Sequence, residues 1–492
     1  MIDYQQWEMW SRQYNCLPYV VQHELQSGKV HNWSGCFEDM REAGFLLESG
    51  KSGRYSYVGI EPVERFQAQA VGKPFEMLRQ WMKRFTSPQI DALPCFVGGI
   101  VGYLSYDVAR TIERMPEVAA ADSLIPDIWF MRVEKLWVID HTEHKLYCVV
   151  HKLRVARTAW SPDQLRQDFE TACAEADAMK TRWDLWMQRQ SVQPDQQSTG
   201  TFDVHIEQIP GIELSLPKDH YMRAVHEIQH FIRQGDVFQV NLSVRQSKNC
   251  VASPEEIYES LRSINPSPYM AYLKLPGGAS IVSGSPELLV RLQRGVLSTR
   301  PIAGTRPRGA NDNENNQNET ELLLNEKERA EHIMLVDLQR NDLGKIANFG
   351  SVHVKELMAV EHYSHVMHIV SEVTGELSAG KDAFDTIAAV FPGGTITGAP
   401  KIRTMEIIEA LEPVRRGIYT GSIGWIDYNG NMELNIVIRT LLHVNERVYV
   451  QSGAGIVIDS LPEKEFYESL NKAKALWKAV EISEQRLRTQ QS

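Results

Sequence analysis

Between Val237 and Arg245 the chain alternates strictly, with Phe238, Val240, Leu242 and Val244 on one face and Gln239, Asn241, Ser243 and Arg245 on the other. A period of two predicts a strand. Its polar face either meets water or lines a polar site, and water is the more common outcome for such a face. Just upstream, Tyr221, Ala224, Val225, Ile228, Phe231 and Ile232 recur at helical spacing, and Gly235 stands where a helix would stop. Earlier in the chain, strand-like runs at 54–60 and 136–139 alternate with helical patterns at 74–85 and 162–179. Later, 318–342 and 463–480 each read as one helix, 402–411 as a shorter one, and the β-branched run 366–377 as a strand. The stretch 188–200, QRQSVQPDQQSTG, has no apolar periodicity and reads as a surface linker that splits the chain near residue 195. Mixed elements without a repeat predict an α+β protein.

Composition narrows the function. A chain of 492 residues that is 43% hydrophobic can fill a large core, and a net charge of -11 argues against nucleic acid as its main partner. No run is long and apolar enough to span a membrane, the stretch at 96–104 being short and glycine-rich. Residues 1–13 lack a signal-peptide pattern, and the cysteines at 16, 36, 95, 148, 173 and 250 have no metal-type spacing, so a reducing cytoplasm is expected.

Several motifs offer chemistry. In Arg300-Pro301-Ile302-Ala303-Gly304-Thr305-Arg306 a flexible corner lies between two guanidinium groups, an arrangement suited to a carboxylate. Glu328 and Glu331 are three apart on one predicted helix, and Glu465 and Glu468 repeat that spacing on another. Two such pairs can enclose a hard cation such as magnesium, although ExxE is also common on solvated helix faces. His362, His365 and His368 recur every three residues, which in a strand puts successive rings on opposite faces and argues against zinc. His368 remains a lone acid, base or structural residue. Glu287 follows the small-residue run Ser283-Gly284-Ser285, where burial would make it a proton donor, but from the residues alone an ordinary turn or a helix start capped by Ser285 is the better reading. The loop 391–401, FPGGTITGAPK, leads into a helix without the P-loop spacing, and 451–455, QSGAG, allows close backbone approach or forms a plain bulge.

The order of these motifs resembles the chorismate-utilising enzymes: GDVFQVNLS, NPSPYMAYL, SGSPELLV, RPIAGTR, NEKERAEHIMLVDLQRND, FPGGTITGAPK, YTGSIGW and QSGAGIVIDS. The match covers nearly all of 215–482, taken as the catalytic region; 1–187 is similar to the region that precedes it in anthranilate and aminodeoxychorismate synthases, 188–214 joins them, and 483–492 is a polar tail. The resemblance implies a large α+β sandwich of antiparallel sheets with helices, binding chorismate and magnesium in a cleft. It implies magnesium ligation by Glu331 and Glu468, with Glu328 and Glu465 beside them, and chorismate contacts from Gly304, Thr305, Tyr419, Arg439, Gly453, Ala454, Gly455 and Lys472. Glu287 matches the family's general acid and His368 its active-site histidine.

Gln239 stands where isochorismate and salicylate synthases carry a lysine that activates water, so ammonia is the expected nucleophile. None of the cysteines sits in a glutaminase-like elbow, which implies a separate glutamine amidotransferase subunit. Ala303 points toward the anthranilate branch, because many aminodeoxychorismate synthases have a covalently acting lysine there. Asn241, the GGTITGAP loop, Ser422 and Asn435-Ile436-Val437 resemble the aminodeoxychorismate branch, whose Bacillus-like members also read PIAGT, and that branch is the expectation. The runner-up is the anthranilate branch. A non-catalytic tryptophan-binding homologue is the third, because Ser49, Pro266, Tyr269 and Met270 fall in motifs resembling a tryptophan site.

Overall fold

The predicted strand at 237–245 forms as Gln239–Asn249, and its partners show how the chain is assembled. The computed structural model describes residues 2–25, 32–50, 53–122, 124–154, 160–189, 204–309, 311–362 and 366–491. Within them, Gln239–Asn249 lies near one end of a twelve-stranded sheet. Reading inward from that end, its main path continues through Arg447–Ile456, Thr440–Val444, Ser280–Ser285, Tyr269–Lys274, Gly44–Glu48, Tyr55–Gly59, Lys135–Asp140 and Lys145–Leu153 to Cys16–Glu24. A second sheet, of ten strands, runs from Ile302–Pro307 through Val366–Glu376, Val296–Thr299, Leu288–Gln293, Met432–Asn435, Ser422–Asp427, Gly99–Leu104 and Ile128–Val133 to Pro62–Ala68. The strand pairs in both sheets are antiparallel, as the α+β expectation requires.

The two regions separated in the sequence share both sheets. Gly44–Glu48 pairs with Tyr269–Lys274, bringing Leu46 opposite Tyr272, and Gly99–Leu104 pairs with Ser422–Asp427, bringing Gly102 opposite Gly424. Residues 190–203, most of the expected linker, lie outside the described residues.

The sheets face each other across one apolar core and carry helices outside. Along Gly99–Leu104, Val101 and Tyr103 join Phe45, Tyr272 and Ile281 between the sheets. Ile100 and Leu104 face the other way, into a second core with Leu78 of helix Pro74–Met82 and Ile387 of helix Ala383–Val390. This short apolar run is therefore a strand buried on both faces. No described helix is long and apolar enough to cross a membrane.

Three local expectations change. The predicted helix 318–342 is two, Asp312–Leu324 and Glu326–Gly344, because Asn325 takes an extended backbone and its Oδ1 accepts the Glu328 N–H at 3.0 Å, capping the second. The helix 463–480 is also two, Pro462–Asn471 and Lys474–Gln491. Residues 483–491, set apart as a polar tail, continue the latter, with Ser483 buried and its hydroxyl 2.9 Å from that of Ser260.

The polar face of Gln239–Asn249 is covered rather than solvated. Ser243 donates its N–H and hydroxyl to Glu412 Oε1 (2.9 and 2.7 Å), and Arg416 binds the same carboxylate through Nε and Nη2 (2.9 and 2.8 Å). Arg416 also donates to the carbonyls of Asn241 (2.7 Å) and Ile396 (2.9 Å), tying strand, loop and helix end together. Arg416→Met leaves Glu412 buried and unpaired and is expected to cost about 3–5 kcal/mol. Urea unfolding measures this, and the double change Arg416→Met with Glu412→Leu should recover much of the loss.

Candidate active site

The chain passes between the sheets at two neighbouring places. Ser280–Ser285 in the first sheet leads through Pro286 and Glu287 to Leu288–Gln293 in the second, and Met432–Asn435 returns through 436–439 to Thr440–Val444. The Ile436 N–H donates to the Glu287 carbonyl (3.0 Å) and the Gly284 N–H to the Arg439 carbonyl (3.0 Å), fastening the crossovers together. Glu287 therefore sits in a turn between two strands, where its N–H donates to Ser285 Oγ (3.3 Å), and not at a helix start. Both crossovers border a cavity of about 1110 Å³.

Glu287 is 6% exposed, and burial pushes its carboxyl up to about 7. The Thr395 hydroxyl donates to its Oε1 at 2.8 Å, so a proton on the carboxyl belongs on Oε2. Arg439 lines the same cavity at a left-handed φ of 51°. Burial lowers its pKa, with the Tyr419 hydroxyl opposing. A guanidinium nonetheless stays protonated, and no described side chain forms an ion pair with this one. His368 Nδ1 donates to the Gly304 carbonyl at 3.0 Å, which places the ring proton on Nδ1, and burial lowers its pKa. His365 lies outside the described residues, and His362 pairs with Glu319 (3.3 Å).

Opposite charge lines another part of the wall. Glu328 and Glu331, from helix Glu326–Gly344, and Glu465 and Glu468, from helix Pro462–Asn471, all border the cavity. Glu331 Oε1 accepts from Gln239 Nε2 (3.1 Å), and Glu468 pairs with Lys472 (3.0 Å), which also donates to the Gly453 carbonyl (3.0 Å). Among the described residues no three His, Cys, Asp or Glu groups are gathered closely enough to hold a metal. The donor set still fits magnesium, whose usual protein share is one or two carboxylates with the remaining positions left to water and substrate.

The corner at 300–306 differs from expectation. Its two guanidinium groups are engaged by carboxylates: Arg300 by Glu361 (2.5 Å), and Arg306 by Glu328 (2.6 Å) and Glu321 (3.1 Å). Gly304 is the extra residue of a β-bulge, at a φ of 65°, and lines the cavity, whereas Thr305 pairs with His368 along the strand. Arg439, which has no ion-pair partner among the described side chains, is a cation on this wall open to a bound anion.

Gly453 and Gly455 lie within the strand Arg447–Ile456, opposite Ser243 and Asn241, and not in a loop or bulge. Asn241 N–H bonds Thr397 and Ser243 N–H bonds Glu412, so ladder alternation turns the N–H groups of Gly453 and Gly455 toward the strand's other edge. The Ala454 side chain belongs to the core between the sheets.

The family model for chorismate binding enzyme matches residues 42–478. The chain belongs to that family. This chorismate-binding enzyme is 45% identical over 460 residues to aminodeoxychorismate synthase component 1 of Bacillus subtilis (strain 168), covering 90% of this chain and 93% of that protein. It is 41% identical over 460 residues to anthranilate synthase component 1 of Acetivibrio thermocellus, covering 89% and 90%. Among solved structures, anthranilate synthase component I from Streptococcus pneumoniae TIGR4 matches with a TM-score of 0.71 and 32% identity, over 86% of this chain and 92% of that one.

The residues proposed for tryptophan separate in this chorismate-binding enzyme. Pro266 lines the large cavity, while Ser49, Tyr269 and Met270 line a smaller one of about 60 Å³, room for only a few waters. Pro268 borders both. Two contributors escaped the sequence reading. Thr395, which holds Glu287, had no signal beyond its loop; Asn325 did, since Asn-x-x-Glu before a helix is a capping pattern. Arg439→Gln is expected to weaken chorismate binding about ten- to a hundredfold, the worth of a charged hydrogen-bonded contact. Isothermal titration measures it, and unchanged binding would place the anion elsewhere.

Proposed function

We propose that this chorismate-utilising enzyme is an aminodeoxychorismate synthase subunit: it replaces the C4 hydroxyl of chorismate with an amino group and leaves the enolpyruvyl ether intact. The observation that carries the amination reading is the Gln239–Glu331 hydrogen bond. A neutral amide, already donating to a carboxylate, cannot take a proton from water, so the nucleophile is one that needs no base, ammonia. A separate glutamine amidotransferase subunit supplies it.

In this reading Arg439, Lys472, Tyr419 and the Gly453 and Gly455 amides receive the chorismate dianion. Glu331 and Glu468, with Glu328 and Glu465 beside them, would hold magnesium, which when bound supplies Lewis-acid neutralisation of a substrate carboxylate. Ammonia adds at C2, both ring double bonds shift toward C4, and the C4–O bond breaks as Glu287 passes its proton to the departing hydroxyl, which leaves as water. A second ammonia then forms the C4–N bond as the C2–N bond breaks and the first is released, so one ammonia is consumed and one water formed. Ala303 presents only a methyl group to the cavity, which supports a route without a covalent lysine at that corner.

The product assignment is supported by the 45% identity to the Bacillus subtilis protein and by Asn241 and the 393–400 loop. These residues touch the acid's surroundings: Asn241 N–H donates to Thr397, and Thr395 donates to Glu287. The second reading is anthranilate synthase component I, favoured by Ala303 and by the 41% identical relative. It shares the first amination and then eliminates pyruvate.

Purified protein supplied with chorismate, ammonium and magnesium should give 4-amino-4-deoxychorismate by mass spectrometry. Fluorescent anthranilate as the product would overturn this choice, and an adduct on Lys472 or Lys474, the lysines bordering the cavity, would contradict the non-covalent route. A general acid must be protonated to work. With the Glu287 pKa raised to about 7, kcat/KM should hold below that pH and fall about tenfold per unit above it. Glu287→Gln should lose at least about a hundredfold in kcat with little change in chorismate binding, and should lose that limb of the profile.

A further inference from the structure

We propose that Arg306 is a counter-cation latch on the carboxylate cluster: without a divalent ion its guanidinium holds Glu328, and an entering ion displaces it onto Glu321. The inference rests on the reading of the two ExxE pairs as a magnesium site, and it is independent of which product the enzyme makes.

Three observations carry it. First, the partners of the cluster differ in kind. Glu331 is held by the neutral amide of Gln239, and Glu468 by Lys472, a flexible ammonium shared with the Gly453 carbonyl. Glu328 is held at 2.6 Å by a guanidinium, which is always charged. A divalent ion and Arg306 cannot occupy the same carboxylate edge without close cation–cation repulsion.

Second, the backbone brings the arginine there. Gly304 bulges out of strand Ile302–Pro307 at a φ of 65°, and a Cβ on it would stand 2.4 Å from Glu328 Oε2. The strand thus closes over that carboxylate, and Arg306, two residues on, reaches it from the strand end. Third, a receiving group is in place. Arg306 Nε already lies 3.1 Å from Glu321, whose side chain is 65% exposed, against 23% for Glu328. Glu321 and Glu328 stand on separate helices because Asn325 breaks the chain between them. The guanidinium can swing from the inner to the outer carboxylate without entering water unpaired.

The test uses Mn²⁺ and the full chain without chorismate, reading free ion by electron paramagnetic resonance. Arg306→Gln should bind Mn²⁺ about tenfold more tightly than the unaltered protein, the worth of one charged pair. Adding Glu328→Gln should abolish that gain. Glu321→Gln alone should weaken Mn²⁺ binding, because the displaced arginine then has no partner. Arg300→Gln removes an equal charge held by Glu361 and should change nothing. Thermal melts verify that each variant is folded. Equal affinity for Arg306→Gln and the unaltered protein, or an equal gain for Arg300→Gln, overturns the latch and leaves the magnesium site standing. No Mn²⁺ binding by any folded variant overturns both.

Discussion

Two backbone hydrogen bonds, from Ile436 N–H to Glu287 and from Gly284 N–H to Arg439, fix the point where the chain passes between its two sheets, and the site's chemistry depends on them. Strand ends that cross a sandwich are desolvated, yet cannot turn their side chains into the apolar core. Their side chains must therefore point into a cavity or find partners. Glu287 and Arg439 take the first course. The framework also keeps them from neutralising each other. The Glu287 carboxyl is governed by burial and by the Thr395 hydroxyl, and no ion pair joins it to Arg439 among the described residues. Had the two paired, the acid would be ionised and the cation occupied, and neither would serve a substrate.

The same residue type thus behaves in two ways inside one cavity. Glu287 sees only a neutral hydroxyl and is pushed up to about 7, in the range of a working acid. Glu328 is paired with Arg306 and Glu468 with Lys472, while Glu331 accepts from the Gln239 amide. Environment gives one side chain two different settings within the same cavity. His368 differs from both: its Nδ1–H donates to the Gly304 carbonyl at the bulge, and its burial favours the neutral ring.

Much of this was legible along the chain where the physics is local. Alternation over 237–245 gave the strand, helical spacing gave the helix that ends at Gly235, and the motif order pointed to residues that border one cavity. What escaped is non-local. The fate of the strand's polar face depends on Glu412 and Arg416, some 170 residues away, and no periodicity reports that. The same holds for Arg300 and Arg306, read as anion receivers until the structure set Glu361, Glu321 and Glu328 against them. The interleaving of both halves in shared sheets is a property of pairing order, which linker composition cannot reveal. Asn325 was the avoidable miss: its capping pattern is local, but continuous helical periodicity on either side masked it.

The position of these residues also bears on which product follows. Both candidate reactions need the C4 hydroxyl to leave, so Glu287 cannot separate them. They part afterwards, when either a second ammonia reaches C4 or pyruvate is expelled. The groups that matter are then those lining the cavity on either side of the ring, and Ala303 lines it from the edge strand of the second sheet, paired with Ile369. Asn241 is bound to the loop that carries Thr395, and its Oδ1 is a buried acceptor with no described partner. A buried carbonyl oxygen without a described donor is costly, so this position beside the loop that carries Thr395 is under a constraint of its own.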